Sequence, residues 1–263
     1  MFDECYEPLP DTAAYLARIG LPDPQAPSLP YLDQLIYAHQ TTVPFEDLDV
    51  SDTRKGVSLS IRDLFDKIVV HRRGGYCFEQ NALFCSLLRA LGFEVQAGMA
   101  RITMMPAPHP ASTHRINIVH MDDASCLVDV GFGGPMPACA LKLENGFTRT
   151  EHGQTFAARY HDQYWWDLVY EGSDGSSSPM RFSTVPAEES DFIALSFFQS
   201  RYPESHFVNT RLVNLRMPDG SRDITGSTYT ERENGAVTRT EIESDEQLDE
   251  LLDERFGIRN WRV

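Results

Sequence analysis

Apolar residues change their spacing along the chain near residue 93. Before that point they recur every three or four residues, as on one face of a helix, which predicts helices over residues 11–19, 32–39, 60–69 and 77–91. From Glu94 to about residue 185 they alternate with polar residues or occur in β-branched runs, which is typical of strands. The chain therefore begins as a helical unit and continues as an antiparallel sheet, which we expect to curl into a barrel.

The last third of the chain mixes the two patterns. They predict a helix near residues 188–200, strands over 206–216, 224–232 and 236–242, and a closing acidic helix over 244–256. The segment GSDGSSSP at 172–179 has the composition of a loop. We therefore predict an α+β fold with a helical bundle in residues 1–92, an antiparallel β-barrel in 93–190 and an α/β unit in 191–263.

Composition and charge restrict the classes of partner. The chain has 23 Lys and Arg residues and 39 Asp and Glu residues, which gives a formal net charge of −16. This charge disfavours nucleic acid and anionic membranes as binding partners. No apolar run is long enough to span a bilayer, and the first residues do not have the pattern of a signal peptide. The five cysteines lack C-x-x-C spacing, so we expect reduced thiols in a cytoplasmic protein, with no disulfide framework and no metal site.

The strongest helical pattern begins at a cysteine. Cys77 follows the pair Gly74-Gly75 and shares one helix face with Asn81, at a step of four residues. In the first turn of a helix, unpaired N–H groups and the helix dipole favour the thiolate, which is the nucleophilic form of cysteine. Free cysteines are more often small buried residues, so the position of Cys77 alone does not indicate catalysis.

A catalytic cysteine needs a base, and the base needs a group that orients it. A hairpin with residues 122–123 as its loop would pair Met121 with Ala124. In that register His114 and Asp129 lie on the same face as diagonal neighbours, roughly 7–8 Å apart at the backbone. The alternative is that His114 is an ordinary hydrogen-bonded histidine on a strand.

Several segments together resemble the arylamine N-acetyltransferase family. RRGGYCFEQN at 72–81, THR at 113–115 and LVDVGFGGP at 127–135 resemble its three active-site blocks, and PFEDLD at 44–49 resembles its PFENLD block. The resemblance covers most of the chain. It implies a helical bundle, a β-barrel and an α/β lid, with a triad like that of papain-type cysteine proteases. By this resemblance the catalytic cysteine, histidine and aspartate are Cys77, His114 and Asp129.

The same resemblance implies a reaction. Acetyl-coenzyme A would be the acyl-donor substrate, and an arylamine or arylhydrazine would accept the acetyl group after a ping-pong step through an acetyl-cysteine. Three glycines after the aspartate are expected to let backbone N–H groups approach the coenzyme A phosphates: Gly131, Gly133 and Gly134. Phe45 and Phe132 are expected to form the walls of the acceptor pocket, although each could be an ordinary core residue.

One arginine is expected to support the nucleophile. Arg73 directly precedes the Gly-Gly pair, and the 44–49 block is rich in carboxylates. Because an unpaired arginine would be unfavourable once buried, we expect Arg73 to bind Glu46 or Asp47 and to fix the turn before Cys77.

The sequence departs from the family pattern at a few positions. Gln80 replaces a common leucine or valine, and Asp47 and Asp49 make the 44–49 block more acidic. The proline-rich segment 105–111 and Arg115 are expected to alter the mouth of the acceptor pocket.

Other functions remain compatible with this triad. A transglutaminase-like cysteine hydrolase or protease would use the same residues, with an open groove for peptide. An amide synthase that closes polyketide rings would act on a carrier-bound substrate without acetyl-coenzyme A. A non-catalytic binding protein of this fold would be expected to lack one of the three residues.

Overall fold

Helices form most of the first ninety residues of the computed structural model, which describes residues 2–104, 107–121, 124–172 and 175–262. After a 3-10 turn at Asp3–Tyr6 they are α1 Thr12–Arg18, α2 Leu29–Thr42, α3 Leu48–Ser51, α4 Ile61–Phe65, which continues as a π-helical turn Asp66–Val70, and α5 Cys77–Ala90. Their apolar faces meet in a core that includes Leu35, Leu64 and Leu83. The same core takes in Val119 and Val128, so the helices pack on the neighbouring sheet.

An antiparallel sheet of eight strands follows the helices. The first strand of the chain, β1 Phe45–Glu46, is not part of this sheet. The strands of the sheet are β2 Glu94–Ile102, β3 Ser112–Met121, β4 Ala124–Val128, β5 Leu141–Lys142, β6 Thr148–Glu151, β7 Gln154–Tyr160, β8 Trp165–Gly172 and β9 Gly175–Ser183. In space they are ordered β5-β4-β3-β2-β9-β8-β7-β6. The sheet curls into a nearly closed barrel around apolar side chains such as Ile116, Leu168 and Phe182. The predicted α+β fold with a central barrel is confirmed.

The β3–β4 hairpin has the predicted register. Met121 pairs with Ala124, and Asn117 pairs with Val128 at the other end of the ladder. The loop predicted at residues 122–123 lies outside the described residues. Because the register matches, His114 and Asp129 emerge on the same face of the hairpin.

A second antiparallel sheet lies near the C-terminus. Its strands are β10 Leu212–Met217, β11 Gly220–Thr225, β12 Thr228–Glu233 and β13 Ala236–Glu241, and β1 joins it beside β10. The helices of this part are α6 Asp191–Arg201, α7 His206–Asn209 and α8 Asp245–Phe256. Since β1 comes from the first region and pairs with the last, backbone hydrogen bonds join the two. The boundaries at residues 92 and 190 remain a prediction.

Three predicted elements differ from the structure. Residues 206–209 form α7 and do not begin a strand. Residues 224–232 belong to two strands, because Gly226 adopts a φ of 61° in a turn that separates them. Residues 175–179 belong to β9, where pairing with β8 outweighs their loop-like composition, and 173–174 lie outside the described residues.

Candidate active site

Cys77 is the first residue of α5 and directly follows a tightly packed turn. A Cβ atom on Gly74 would lie 1.9 Å from the carbonyl oxygen of Pro44, so only glycine fits at this position. The backbone N–H of Tyr76 donates to the Glu79 carboxylate at 2.9 Å, which caps the helix. The first N–H groups of a helix lack intrahelical acceptors, so Cys77 lies where a negative charge is stabilised.

The structure brings His114 and Asp129 together beside Cys77. Nε2 of His114 lies 2.5 Å from Oδ2 of Asp129, and the exposed fractions of the two residues are only 4% and 3%. Since Nε2 faces the carboxylate, Nδ1 is the ring nitrogen left for the thiol, which is the other hydrogen-bond partner of the imidazole. The arrangement joins a thiol, an imidazole and a carboxylate in one hydrogen-bonded series.

The charge state of His114 follows from its two neighbours. Burial disfavours the imidazolium, but the Asp129 carboxylate and the negative charge of a Cys77 thiolate outweigh burial and raise the pKa of His114 to about 10. His114 is therefore a cation at neutral pH. A cation next to the thiol favours the thiolate form of Cys77.

Asn81 connects the cysteine helix to the segment that directly follows β4 and carries Asp129. Its Nδ2 donates to Oδ1 of Asp129 at 2.9 Å, and its Oδ1 accepts from the N–H of Val130 at 3.0 Å. The N–H of Gly131 also donates to Oδ1 of Asp129, at 2.8 Å. Two donors on one carboxylate oxygen and His114 on the other fix the orientation of Asp129. The spacing of four residues from Cys77 placed Asn81 on the correct face, but it indicated no role.

Gln40, on α2, supports the same segment after β4. Its Nε2 donates to the carbonyl oxygens of Asp129 and Pro137, each at 2.9 Å. No pattern in the sequence marks Gln40, because the contact depends on how α2 packs against a segment 89 residues further along.

Arg73 lies beneath the turn and binds Glu46. Nε of the guanidinium is 2.9 Å from Oε1 of Glu46, and Nη2 is 3.1 Å from Oε2, which is a bidentate pair. Nη2 also lies 3.1 Å from the Asp49 carboxylate, and Nη1 donates to the carbonyl oxygen of Trp261 at 3.3 Å. Of the two predicted partners, Glu46 is in contact with Arg73, whereas Asp47 binds the backbone of Leu212 instead.

Lys67 extends this ionic network towards α5. Its Nζ lies 2.7 Å from Asp49 and 2.7 Å from Glu79, whose other oxygen caps the helix at Tyr76. Burial disfavours the ammonium, but the surrounding carboxylates outweigh burial and raise the pKa of Lys67. The cap of the cysteine helix is thus held by a permanent cation.

A cavity of about 310 Å³ opens beside Cys77 and His114. Phe45, Phe132, Gly133 and Gly134 line it. The ring of Phe132 meets His114 edge to face, with centroids 5.5 Å apart. Gly131 does not line the cavity, since its N–H is bound to Asp129 and its Cα packs against α5.

The far wall of the cavity comes from the C-terminal part of the chain. Phe207, Asn214 and Thr225 are among its lining residues. None of them was expected at the site from the sequence. The pairing of β10 with β1, which brings this part of the chain to Cys77, is not visible in the sequence.

Arg115 does not shape this cavity, contrary to the prediction. Its guanidinium is buried against the Glu189 carboxylate at 2.5 and 3.0 Å and stacks on the ring of Phe192. Adjacent residues on a strand point to opposite faces, so Arg115 points away from the side that His114 faces. Of the proline-rich segment, residues 105–106 lie outside the described residues and 107–111 do not line the cavity.

Three of the other four thiols have environments that disfavour the thiolate. Burial raises the pKa of Cys5 and Cys85, and it raises the pKa of Cys139 to about 12. No two cysteines of the described ranges form a disulfide. The described residues also contain no group of three or more His, Cys, Asp or Glu side chains that could hold a metal ion. No helix among them is long and apolar enough to cross a membrane.

The chain is similar to known proteins over most of its length. A sequence model of a family described as N-acetyltransferase matches residues 28–260. The chain is 33% identical over 248 residues to the arylamine N-acetyltransferase of Escherichia coli (strain K12), covering 93% of this chain and 87% of that protein. It is 34% identical over 264 residues to that of Mycolicibacterium smegmatis, covering 94% and 92%. The structure of Mycobacterium marinum arylamine N-acetyltransferase in complex with CoA has a TM-score of 0.88 at 31% identity and covers 94% of this chain and 93% of its own. The chain belongs to the arylamine N-acetyltransferase family.

Proposed function

We propose that this protein transfers an acetyl group from acetyl-coenzyme A to an arylamine or arylhydrazine by a ping-pong mechanism. The observation that carries the proposal is the contact of His114 with Asp129, 2.5 Å long, beside a cysteine at a helix start and on a cavity large enough for an aromatic ring. Relatives named arylamine N-acetyltransferase support the choice of acceptor, and a relative solved in complex with CoA supports the donor.

In the first half-reaction the Cys77 thiolate attacks the carbonyl carbon of the thioester. The bond between that carbon and the coenzyme A sulfur breaks, and the protonated His114 supplies a proton to the leaving thiolate. The backbone N–H of Cys77 is one donor for the oxyanion that forms, because it points out of the start of α5. The products are acetyl-Cys77 and free coenzyme A.

In the second half-reaction the amine nitrogen attacks the acetyl carbon. His114, now neutral, takes the proton from nitrogen as the C–N bond forms, and Cys77 leaves as a thiolate. Asp129 holds the imidazole with Nδ1 towards sulfur and stabilises its positive charge. The ion pair of Cys77 and His114 is then restored for the next cycle.

The loop after Asp129 is our proposed site for the coenzyme A phosphates. Gly133 and Gly134 line the cavity, and Gly133 has a φ of 71°, a conformation that favours glycine. Gly131 was expected to contribute as well, but its N–H is already bound to Asp129, so we assign it to the support of the triad. Phe45 and Phe132 are the proposed aromatic walls for the acceptor.

We further propose a cytoplasmic enzyme that binds neither nucleic acid nor membranes. Support comes from the net charge of −16, which would repel both polyanions, and from cysteines that form no disulfide within the described ranges.

Intact-mass spectrometry with acetyl-coenzyme A tests the proposal. We expect one acetyl group per chain, mapped by peptide analysis to Cys77, which an arylamine then removes as the N-acetyl product. A Cys139→Ser variant is the matched control and should be acetylated as the parent is. An acetyl group on Cys85 or Cys139 would contradict the assignment of Cys77 as the nucleophile. An acetyl-enzyme that only water discharges would favour the hydrolase alternative.

A further inference from the structure

Gln80 is fully buried in α5 and binds two backbone segments of the site. Its Nε2 donates to the carbonyl oxygen of Gly75 at 2.7 Å and to that of Pro44 at 3.1 Å. Gly75 lies two residues before Cys77, and Pro44 directly precedes Phe45 in the cavity wall. One side-chain amide therefore joins the turn of the nucleophile to the wall of the pocket.

The remaining atom of this amide binds a histidine. Oε1 of Gln80 lies 2.9 Å from Nε2 of His39. Because backbone carbonyls can only accept hydrogen bonds, the NH₂ group must face Gly75 and Pro44, and Oε1 must accept a proton from His39. His39 is therefore the tautomer with hydrogen on Nε2. Its Nδ1 then accepts from the hydroxyl of Tyr15, 2.9 Å away.

Burial keeps His39 in this neutral state. Desolvation lowers the pKa of His39 to about 3, although its hydrogen bond to Gln80 opposes the shift, and the nearby Arg18 cation lowers the pKa further. No side-chain nitrogen or oxygen of Tyr15, His39 or Gln80 lacks a partner among the described residues. The three side chains form a buried hydrogen-bonded series, with one direction of donation, from α1 through α2 to the turn before Cys77.

We propose that Gln80 is a positioning residue for the acyl-transfer reaction. Through the Gly75 carbonyl it fixes the turn that aims the Cys77 sulfur at His114, and through Pro44 it fixes the distance from that turn to Phe45. The proposal rests on the nucleophilic role of Cys77 proposed above. A leucine at position 80 would leave Nε2 of His39 without an acceptor and the Pro44 carbonyl without this donor. In this chain the histidine at position 39 therefore requires a hydrogen-bond acceptor at position 80, which Gln80 supplies.

Replacement of Gln80 by leucine tests the proposal. We expect Gln80→Leu to lower kcat about tenfold with acetyl-coenzyme A and with p-nitrophenyl acetate alike, because misplacing a reacting group by less than about 1 Å has effects of this size. The KM for acetyl-coenzyme A should stay unchanged. The pH profile for alkylation of Cys77 by iodoacetamide should move to higher pH, since the thiolate would lie less well placed against His114 and the start of α5.

A matched control exists on β2. Gln96 also accepts from a histidine, with Oε1 3.0 Å from Nε2 of His120, and donates to a carbonyl, that of Thr184 at 3.0 Å. It does not line the cavity of Cys77. Gln96→Leu should therefore keep the parent kcat and the parent alkylation profile, even if its Tm falls.

The outcomes separate positioning from a purely structural role. If Gln80→Leu lowers Tm but keeps the parent kcat and pH profile well below that Tm, the proposal is overturned. If Gln80→Leu does not fold, Gln80→Asn, which is one methylene shorter, carries the same expectations. Independently, ¹⁵N NMR of the parent should show His39 with hydrogen on Nε2, and hydrogen on Nδ1 would overturn the proposal. A parent that is not acetylated on Cys77 would instead contradict the proposed function.

Discussion

The Asp47 carboxylate accepts a hydrogen bond of 2.8 Å from the backbone N–H of Leu212, which joins the 44–49 block to β10. Asp47 is only 2% exposed, and its Oδ2 has no hydrogen-bond partner in the part of the chain that the structure describes. Burial raises the pKa of Asp47 to about 8, and the Glu46 carboxylate adds to the rise, while the Leu212 hydrogen bond opposes it.

Asp47→Asn should therefore stabilise the protein at high pH. Because the pKa of Asp47 is higher in the folded state than its ordinary value of 3.8, its contribution to stability is fully present below that value and is lost as pH rises through about 8. Asparagine does not ionise. We expect a gain of about 2 kcal/mol in the free energy of unfolding at pH 9, and a smaller gain towards pH 5, in urea titrations. Asp219→Asn, at an exposed turn, should show no such trend; equal effects of the two variants would contradict the argument.

The pKa of His114 should depend on Cys77. The Asp129 carboxylate and the Cys77 thiolate outweigh burial and raise the pKa of His114 to about 10, so its contribution to stability is present below pH 6.5 and lost as pH passes 10. Cys77→Ser removes the thiolate, and we expect the pKa of His114 to fall while staying above 6.5, since Asp129 remains. NMR titration of the imidazole measures both values. Identical values in the parent and the variant would mean that Cys77 is not a thiolate beside His114.

Asp129→Asn should keep the fold and lose the reaction. An amide permits the wrong imidazole tautomer and removes the negative charge, which in other triads lowers the rate by about 10²–10⁴-fold. The measurement is the rate of acetyl-Cys77 formation, followed by mass spectrometry of reactions quenched at successive times. Asp167→Asn is the control, because Asp167 binds Arg181 on the barrel and does not line the cavity. A near-parental rate for Asp129→Asn would remove Asp129 from the triad.

Gly134→Ala should affect one acyl donor more than another. A Cβ there would lie 3.1 Å from the ring of Phe132, so it narrows the loop proposed for the phosphates. We expect a severalfold higher KM for acetyl-coenzyme A and little change with p-nitrophenyl acetate, which has no phosphates. Gly56→Ala, outside the cavity, should behave as the parent. Equal losses with both donors would mean that the glycine shapes the triad and that the phosphates bind elsewhere.

Local patterns were enough to predict the elements that carry the proposed triad. The Gly-Gly pair before a helical run marked the start of α5, and the predicted pairing of Met121 with Ala124 is the register that aligns His114 with Asp129. The contacts that fix these groups in place join residues that are far apart along the chain. Gln40 and Asp129 are 89 residues apart, and Arg73 and Trp261 are 188 apart, so no local spacing could indicate either pair.

Very short strands also could not be predicted from the sequence. β1 has two residues, Phe45 and Glu46, too few for an alternating pattern to be visible. Its pairing with Val213 and Asn214 brings the far wall to the cavity, so the lining residues of the C-terminal part were missed with it. The prediction that Arg115 shapes the mouth of the pocket was wrong for a similar reason. Its partner Glu189 lies 74 residues away, so their contact was not visible in the sequence.

The hydrogen bond from Arg73 to the Trp261 carbonyl has a consequence for biosynthesis. A ribosome releases the chain from its N-terminus, so the turn before Cys77 emerges long before residue 261 does. Until then Arg73 lacks one of its acceptors, and the core of the second sheet lacks the buried Trp261 ring. Completion of the support for the proposed nucleophile therefore waits for residue 261, and until then a nascent chain carries the Cys77 thiol in an unfinished setting.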